Sequence, residues 1–253
     1  YDRGPVLATD PWLSGSAYFG SWILKHPIPE EQLAAIYACA YIWISHGHPD
    51  HLSSAALDKL VGKTVILPDH VGYRIRDSLA AKGHTVQVLP DREWVSLSDR
   101  IRIYCIADYN QDAVLLIDVN DRLLFNMNDA GDQGWAHSVR KVIRQYDTSF
   151  LLKGSGLADM ANFYDEEGGF IEPVILPAGP FLANLADSFG VTHYIPFSSN
   201  HYNQRRDSAW AEKYSTSYED YRIDFDSSKC RMLPPFIRYN CAEDTYVEIA
   251  VDT

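Results

Sequence analysis

The chain has 253 residues, 46% hydrophobic and 22% charged, and carries a formal net charge of −12. That length supports a substantial buried core, and six Trp, sixteen Tyr and ten Phe exclude a disordered, solvated polymer. The acidic balance disfavours nucleic acid as a partner, and no apolar run approaches the roughly 20 residues that span a bilayer, so a soluble protein is expected.

The four cysteines, at 39, 105, 230 and 241, form no close pair. Neither a zinc ribbon nor a disulfide framework is indicated, and the reducing cytoplasm is the expected compartment. No repeat and no long Pro/Gly/Ser linker divides the chain, so a single domain over 1–253 is expected. No signal peptide is visible, and the start at Tyr1 points to preceding residues.

In chain order, residues 40–44 are a short apolar run that predicts a buried strand. Ser53 or Ser54 caps a helix running through Leu57 and Leu60 to Gly62. A strand over 64–67 stops at Pro68, Asp69 caps a helix reaching Lys82, and 85–89 is the next strand. Residues 94–97, 101–106, 113–119 and 122–127 then predict consecutive strands, with Asn120-Asp121 as a hairpin turn. A helix over about 133–146, capped by Asp132, is followed by a strand over 149–152, a helix over 181–189 and strands over 192–197 and 246–251. This alternation of hairpins and crossovers predicts an α/β protein of layered sheets covered by helices.

Chemistry concentrates in Ser45-His46-Gly47-His48-Pro49-Asp50-His51, which holds three of the nine histidines. The run follows a buried strand and precedes a helix, where α/β proteins build their sites. In an extended loop His46 and His48 project to one side and can grip one metal, while Asp50 and His51 reach a second. Neutral imidazole and carboxylate suit zinc, iron and manganese. Gly47 and Pro49 fit a tight, fixed loop.

This H-x-H-x-D-H pattern resembles the metallo-β-lactamase superfamily, which implies a four-layer αββα sandwich with two mixed sheets. The resemblance implies that Asp10 braces the metal loop, that Asp129 bridges both ions and that His201 completes the second. The superfamily's third histidine on the first ion is missing, because the corresponding loop reads Ala107-Asp108-Tyr109-Asn110-Gln111-Asp112. An oxygen donor from Asp108, Asn110 or Asp112 would substitute, with Asp112 favoured, or two histidines plus the bridges would hold the first ion; an oxygen donor would harden the site toward iron or manganese.

The segments Asp10-Pro11-Trp12-Leu13-Ser14-Gly15, Gly20-Ser21-Trp22 and Leu24-Lys25-His26-Pro27 look like the catalytic domain of CMP-N-acetylneuraminate hydroxylases. The C-x-H and C-x-x-H pairs of their Rieske domain are absent here. A stand-alone domain of this kind is similar to the non-haem diiron monooxygenases of platensimycin and platencin biosynthesis. That implies two iron ions, O2, an external electron donor (ferredoxin, cytochrome or reductase) and C–H hydroxylation of a small molecule such as a coenzyme A-linked terpenoid. The alternative on the same scaffold is a hydrolase with two zinc or manganese ions acting on an ester, lactone or phosphodiester.

Arg205 and Arg206, next to His201, are candidates for substrate phosphates. Trp22 and His26 are candidates for the pocket wall, and the aromatic surplus is compatible with a homo-oligomer. His70, His84 and His137 read as surface or helix-face residues, and His193 as a core residue.

Overall fold

A computed structural model describes residues 1–157, 162–198 and 200–251. In chain order its strands are β1 (Leu7–Thr9), β2 (Ser16–Ala17), β3 (Trp22–Leu24), β4 (Tyr41–Trp43), β5 (Thr64–Leu67), β6 (Thr85–Val88), β7 (Trp94–Ser96) and β8 (Ile101–Ala107). There follow β9 (Ala113–Val119), β10 (Arg122–Asn126), β11 (Thr148–Lys153), β12 (His193–Pro196), β13 (His201–Asn203), β14 (Arg231–Met232), β15 (Ile237–Asn240) and β16 (Thr245–Glu248). The helices are α1 (Glu30–Ala38), α2 (Ser54–Leu57), α3 (Arg74–Ala81), α4 (Ala136–Ile143), α5 (Ala178–Phe189) and α6 (Tyr218–Arg222).

Two sheets face each other. The smaller has the order β1-β4-β5-β6, and the larger β14-β12-β11-β10-β9-β8-β7. Alternation along the strands builds the layers. In β4 and β5, Trp43 and Ile66 point between the sheets, where they meet Ile103, Ala113 and Leu115. Ile42, Val65 and Leu67 point the other way, onto Leu33, Leu57 and Leu79 of α1, α2 and α3. On the larger sheet Val114, Leu116, Leu123 and Phe125 face Val139 and Val142 of α4 and Leu182, Ala186 and Phe189 of α5. The result is helix, sheet, sheet, helix, the expected sandwich.

The larger sheet is mixed, antiparallel through β7 to β10 and parallel from β10 to β14. The described strands of the smaller sheet are all parallel, which corrects the expectation of two mixed sheets. Crossovers through α2 and α3 join β4 to β5 and β5 to β6, and such connections return strands in one direction.

Several boundaries differ from expectation. Ser53 does cap a helix, accepting from Ala56 N at 3.3 Å, but α2 ends at Leu57. The helix expected from Asp69 starts at Arg74, because Gly72 (φ 90°) and Tyr73 (φ 50°) turn the chain left-handed first. Asp132 accepts from Gly134 N and Ala136 N at the mouth of α4, as its capping role requires, while the helix proper begins at Ala136. No described helix is long and apolar enough to cross a membrane.

Candidate metal centre

The chemistry-bearing segments leave the carboxyl ends of strands. β1 delivers Asp10, β4 the histidine loop, β5 the turn through His70, β10 the turn with Asp129, and β11 Lys153. β1, β4 and β5 are mutually parallel, as are β10 and β11, so within each sheet these ends share one edge. Side-chain contacts join the two edges.

Asp10 is the brace. Its Oδ1 accepts from Ser45 N at 2.7 Å and its Oδ2 from Ser45 Oγ at 2.8 Å. The same Oδ2 stands 3.1 Å from His51 Nδ1. That contact turns His51 Nε2 toward Asp129 Oδ2 at 3.3 Å and Asp50 Oδ2 at 3.6 Å. His46 Nε2 lies 2.7 Å from His48 Nδ1 and 3.8 Å from Asp129 Oδ2. The Asp129 carboxylate thus sits between the His46–His48 pair and His51. Donor atoms of His46, His48 and Asp129 all lie within 4.8 Å of one another.

Asp112 flanks the cluster, with Oδ1 at 3.8 Å from His46 Nδ1, on the opposite side of the ring from the Nε2 that faces His48 and Asp129. Its main-chain carbonyl is 2.7 Å from His70 Nε2, which places His70 at the rim of the site rather than on remote surface. Asp108, another oxygen candidate, faces Trp135 Nε1 at 3.4 Å and accepts from Asn110 N, so it is a turn-former. His84, expected at the surface, is buried against the interior, whereas His137 on α4 is exposed.

The electrostatics fit a cation. Burial and the neighbouring His51 hold His46 well below the usual imidazole pKa, so its ring is neutral and offers a lone pair. Burial raises the Asp112 carboxyl, and the Asp129 charge raises it further. Burial opposes a charge on His51, yet Asp10 and Asp129 outweigh it and raise its pKa. A proton on His51 therefore takes the place between carboxylates that a divalent ion would fill. Converging imidazole nitrogens and crowded carboxylates make a donor set for a divalent metal.

His201 is placed apart from this group. Its ring stacks on Trp22, centroids 3.7 Å apart and planes at 19°, and burial lowers its pKa to about 4. Trp22 meets the Tyr18 ring edge-on at 4.4 Å, and Tyr18 Oη donates to Asp50 Oδ1 at 2.9 Å. One aromatic layer thus separates His201 from Asp50. Ser199, two residues before it, lies outside the described residues. His26 packs against Phe236. The Arg205 guanidinium is engaged by Asp207 and by the Phe19 carbonyl, while Arg206 is exposed.

Sequence reasoning missed two contributors. Tyr18 reaches Asp50 from a turn whose residues Tyr18 (φ 48°) and Phe19 (φ 56°) are both left-handed. Gly20 was the one local sign of that turn. Lys153 Nζ donates to the carbonyls beside Asp129, and a lysine ending a strand carries no such signal in sequence.

No known protein-family profile matches the chain. It is similar to CMP-N-acetylneuraminic acid hydroxylase of Danio rerio, 27% identical over 129 residues, covering 47% of this chain and 22% of that protein. It is 30% identical over 132 residues to the Xenopus laevis hydroxylase (49% and 22% covered) and to the human protein named as its inactive form (49% and 26%). The chain therefore spans about a quarter of the length of these relatives. Among solved structures, an isothiocyanate hydrolase from Delia radicum gut bacteria superimposes with a TM-score of 0.54 at 16% identity, covering 90% of this chain and 89% of that one. A variant of the CmlA β-hydroxylase does so with a TM-score of 0.52 at 17% identity, covering 76% and 42%. At those identities the structures report on fold alone. Together with the four layers and the histidine loop at the end of β4, they establish this chain as a metallo-β-lactamase-fold protein.

Proposed function

We propose that the chain is a metal-dependent hydroxylase with a two-iron centre, acting on a C–H bond of a small organic molecule. The likeness to CMP-N-acetylneuraminic acid hydroxylases over about half of the chain carries this reading. The donor set supports it: the loop that would supply a third nitrogen supplies the Asp112 carboxylate beside His46 instead, and oxygen donors favour iron over zinc.

In this reading His46, His48 and Asp112 would hold one ion and Asp50 and His51 the other, with Asp129 shared between them and His201 a further donor. Bound iron would supply O2 reduction and C–H oxidation, with electrons from a ferredoxin, cytochrome or reductase. The chain's own groups do the orienting. Asp10 fixes the His51 ring, so that Nε2 faces inward. Tyr18 donates to one Asp50 oxygen and leaves the other toward His51. Its phenol is raised far above its ordinary pKa, first by burial and then by Asp50, so it stays a donor. Trp22 stacks on His201 and meets Tyr18 edge-on, an aromatic row beside Asp50. A coenzyme A handle would meet Arg206 rather than the engaged Arg205.

The test is metal content and O2 uptake of the purified protein. Two iron ions per chain, with O2 consumed only when a reductant is present, is the expected result. Two tightly held zinc ions with ester or lactone hydrolysis and no O2 uptake would overturn it in favour of the hydrolase.

A further inference from the structure

β11 ends at Lys153, alongside the turn that carries Asp129. Met127 N donates to Leu152 O at 3.0 Å, so the pairing of β10 with β11 continues up to that turn. Beyond it the Lys153 side chain reaches across. Its Nζ donates to the carbonyl oxygens of Asn128 at 2.6 Å and Ala130 at 3.2 Å, the residues on either side of Asp129.

Several bonds hold the turn. Asn128 has a left-handed backbone (φ 40°), a conformation that asparagine adopts more readily than most residues other than glycine. Its amide donates to Ala113 O at 2.6 Å, and its Oδ1 accepts from Asp129 N at 2.6 Å. Those bonds fix where Asp129 begins, and Lys153 fixes the carbonyls on both sides of it. Burial lowers the Lys153 pKa, and the carboxylates of Asp129 and Asp112 pull it back up, the ammonium's hydrogen bonds themselves going to neutral carbonyls.

We propose that Lys153 is a positioning residue of the metal centre: it clamps both carbonyls that flank Asp129, holding that carboxylate toward both ions, and sets a fixed positive charge behind the anionic donors. The proposal rests on the two-ion centre described above, not on which metal fills it. Without the clamp, Asp129 is free to rotate toward one ion, and the bridge weakens. Without the charge, the crowded carboxylates become stronger donors, which offsets only part of the affinity lost with the clamp and changes the electronic environment of the ions.

The experiment titrates metal-free protein with Co2+ alone, followed by calorimetry and by the visible absorption of the bound ion. Wild type is expected to bind two Co2+ per chain. Lys153→Met is expected to bind the weaker of the two about tenfold less tightly or worse, with an altered visible spectrum. Lys153→Arg, which keeps donors and charge, is expected to restore both. A folded Lys153→Met with the wild-type isotherm and spectrum overturns the proposal. Should that variant not fold, Lys153→Gln, whose amide keeps N–H donors but carries no charge, is read by its spectrum, and a wild-type spectrum from it counts against the proposal. The two readings separate cleanly. Two Co2+ bound with a perturbed Lys153→Met, but no O2 uptake with iron, sinks the hydroxylase and supports Lys153. Fewer than two Co2+ on wild type sinks both.

Discussion

Asp10 shows how one side chain outside the ligand set governs the set. It accepts from Ser45 twice and faces His51 once, from a backbone with φ of 43° whose own N–H donates to Trp43 O at 2.8 Å. Asp10→Asn keeps an oxygen for Ser45 N but removes the carboxylate that orients His51. Partners of this kind cost ~10–100-fold in metal affinity when mutated. That loss is expected for Asp10→Asn in a competition titration against a chelator, with the denaturant midpoint of the metal-free protein little changed. Unchanged metal affinity would show that His51 is oriented without Asp10. The residue was legible in sequence because it precedes Pro11-Trp12 and aligns with a family position. Tyr18 was not, because its link to Asp50 spans 32 residues and depends on a left-handed turn.

At the scale of elements, α5 shows a close approach that only glycine permits. A Cβ on Gly179 would stand 1.9 Å from the Ile223 carbonyl oxygen, and backbone cannot step aside as a flexible side chain can. Gly179→Ala must therefore push the 223–225 segment off the first turn of α5. Overpacking of this kind typically costs ~1–3 kcal/mol, read as a lowered denaturant midpoint with an unchanged slope. A variant as stable as wild type would mean that the segment is loosely seated. The same helix explains one misplaced boundary. Pro180 delays the expected start to 181, yet α5 begins at Ala178, because a proline in the first turn sacrifices only an N–H that had no helical partner. The strands of the sandwich were legible where apolar alternation is long, as in β8 to β10. β2, β3, β13 and β14 were not, being two or three residues each and paired over long range: β13 lies against β3 through His201 and Leu24. The metal loop was readable because its ligands are neighbours in the chain. Lys153 and the Asp129 turn become neighbours only when β10 and β11 pair.

At the scale of the whole molecule, the layers leave one histidine where acid will find it. The β15–β16 hairpin folds over the inner face of the larger sheet, packing Ile237, Tyr239 and Tyr246 on Phe150, Ile195 and Leu233. His193 of β12 is the register partner of Phe150 in β11 and stacks on it, centroids 4.8 Å apart, with Tyr239 at 6.4 Å and Thr192 Oγ1 at 2.9 Å from Nδ1. Burial lowers its pKa and the Arg231 charge on the adjoining strand lowers it further, against a partial pull from Asp244. A folded pKa below the unfolded one means that the unfolded chain binds more protons once the pH falls under about 6.5. The contribution to stability is thus complete above that pH and is lost as the pH falls toward the folded value. His201, lowered to about 4 by its own burial, adds a second loss of the same sign. His193→Phe keeps the stack on Phe150 and removes one of the protons that His46, His193 and His201 take up on unfolding in acid. Unfolding free energies measured in urea across this range should therefore fall less steeply for His193→Phe than for wild type, with the difference vanishing in slope above neutrality. Parallel pH profiles would place the acid sensitivity elsewhere, and a variant more acid-sensitive than wild type would reverse the sign argued here.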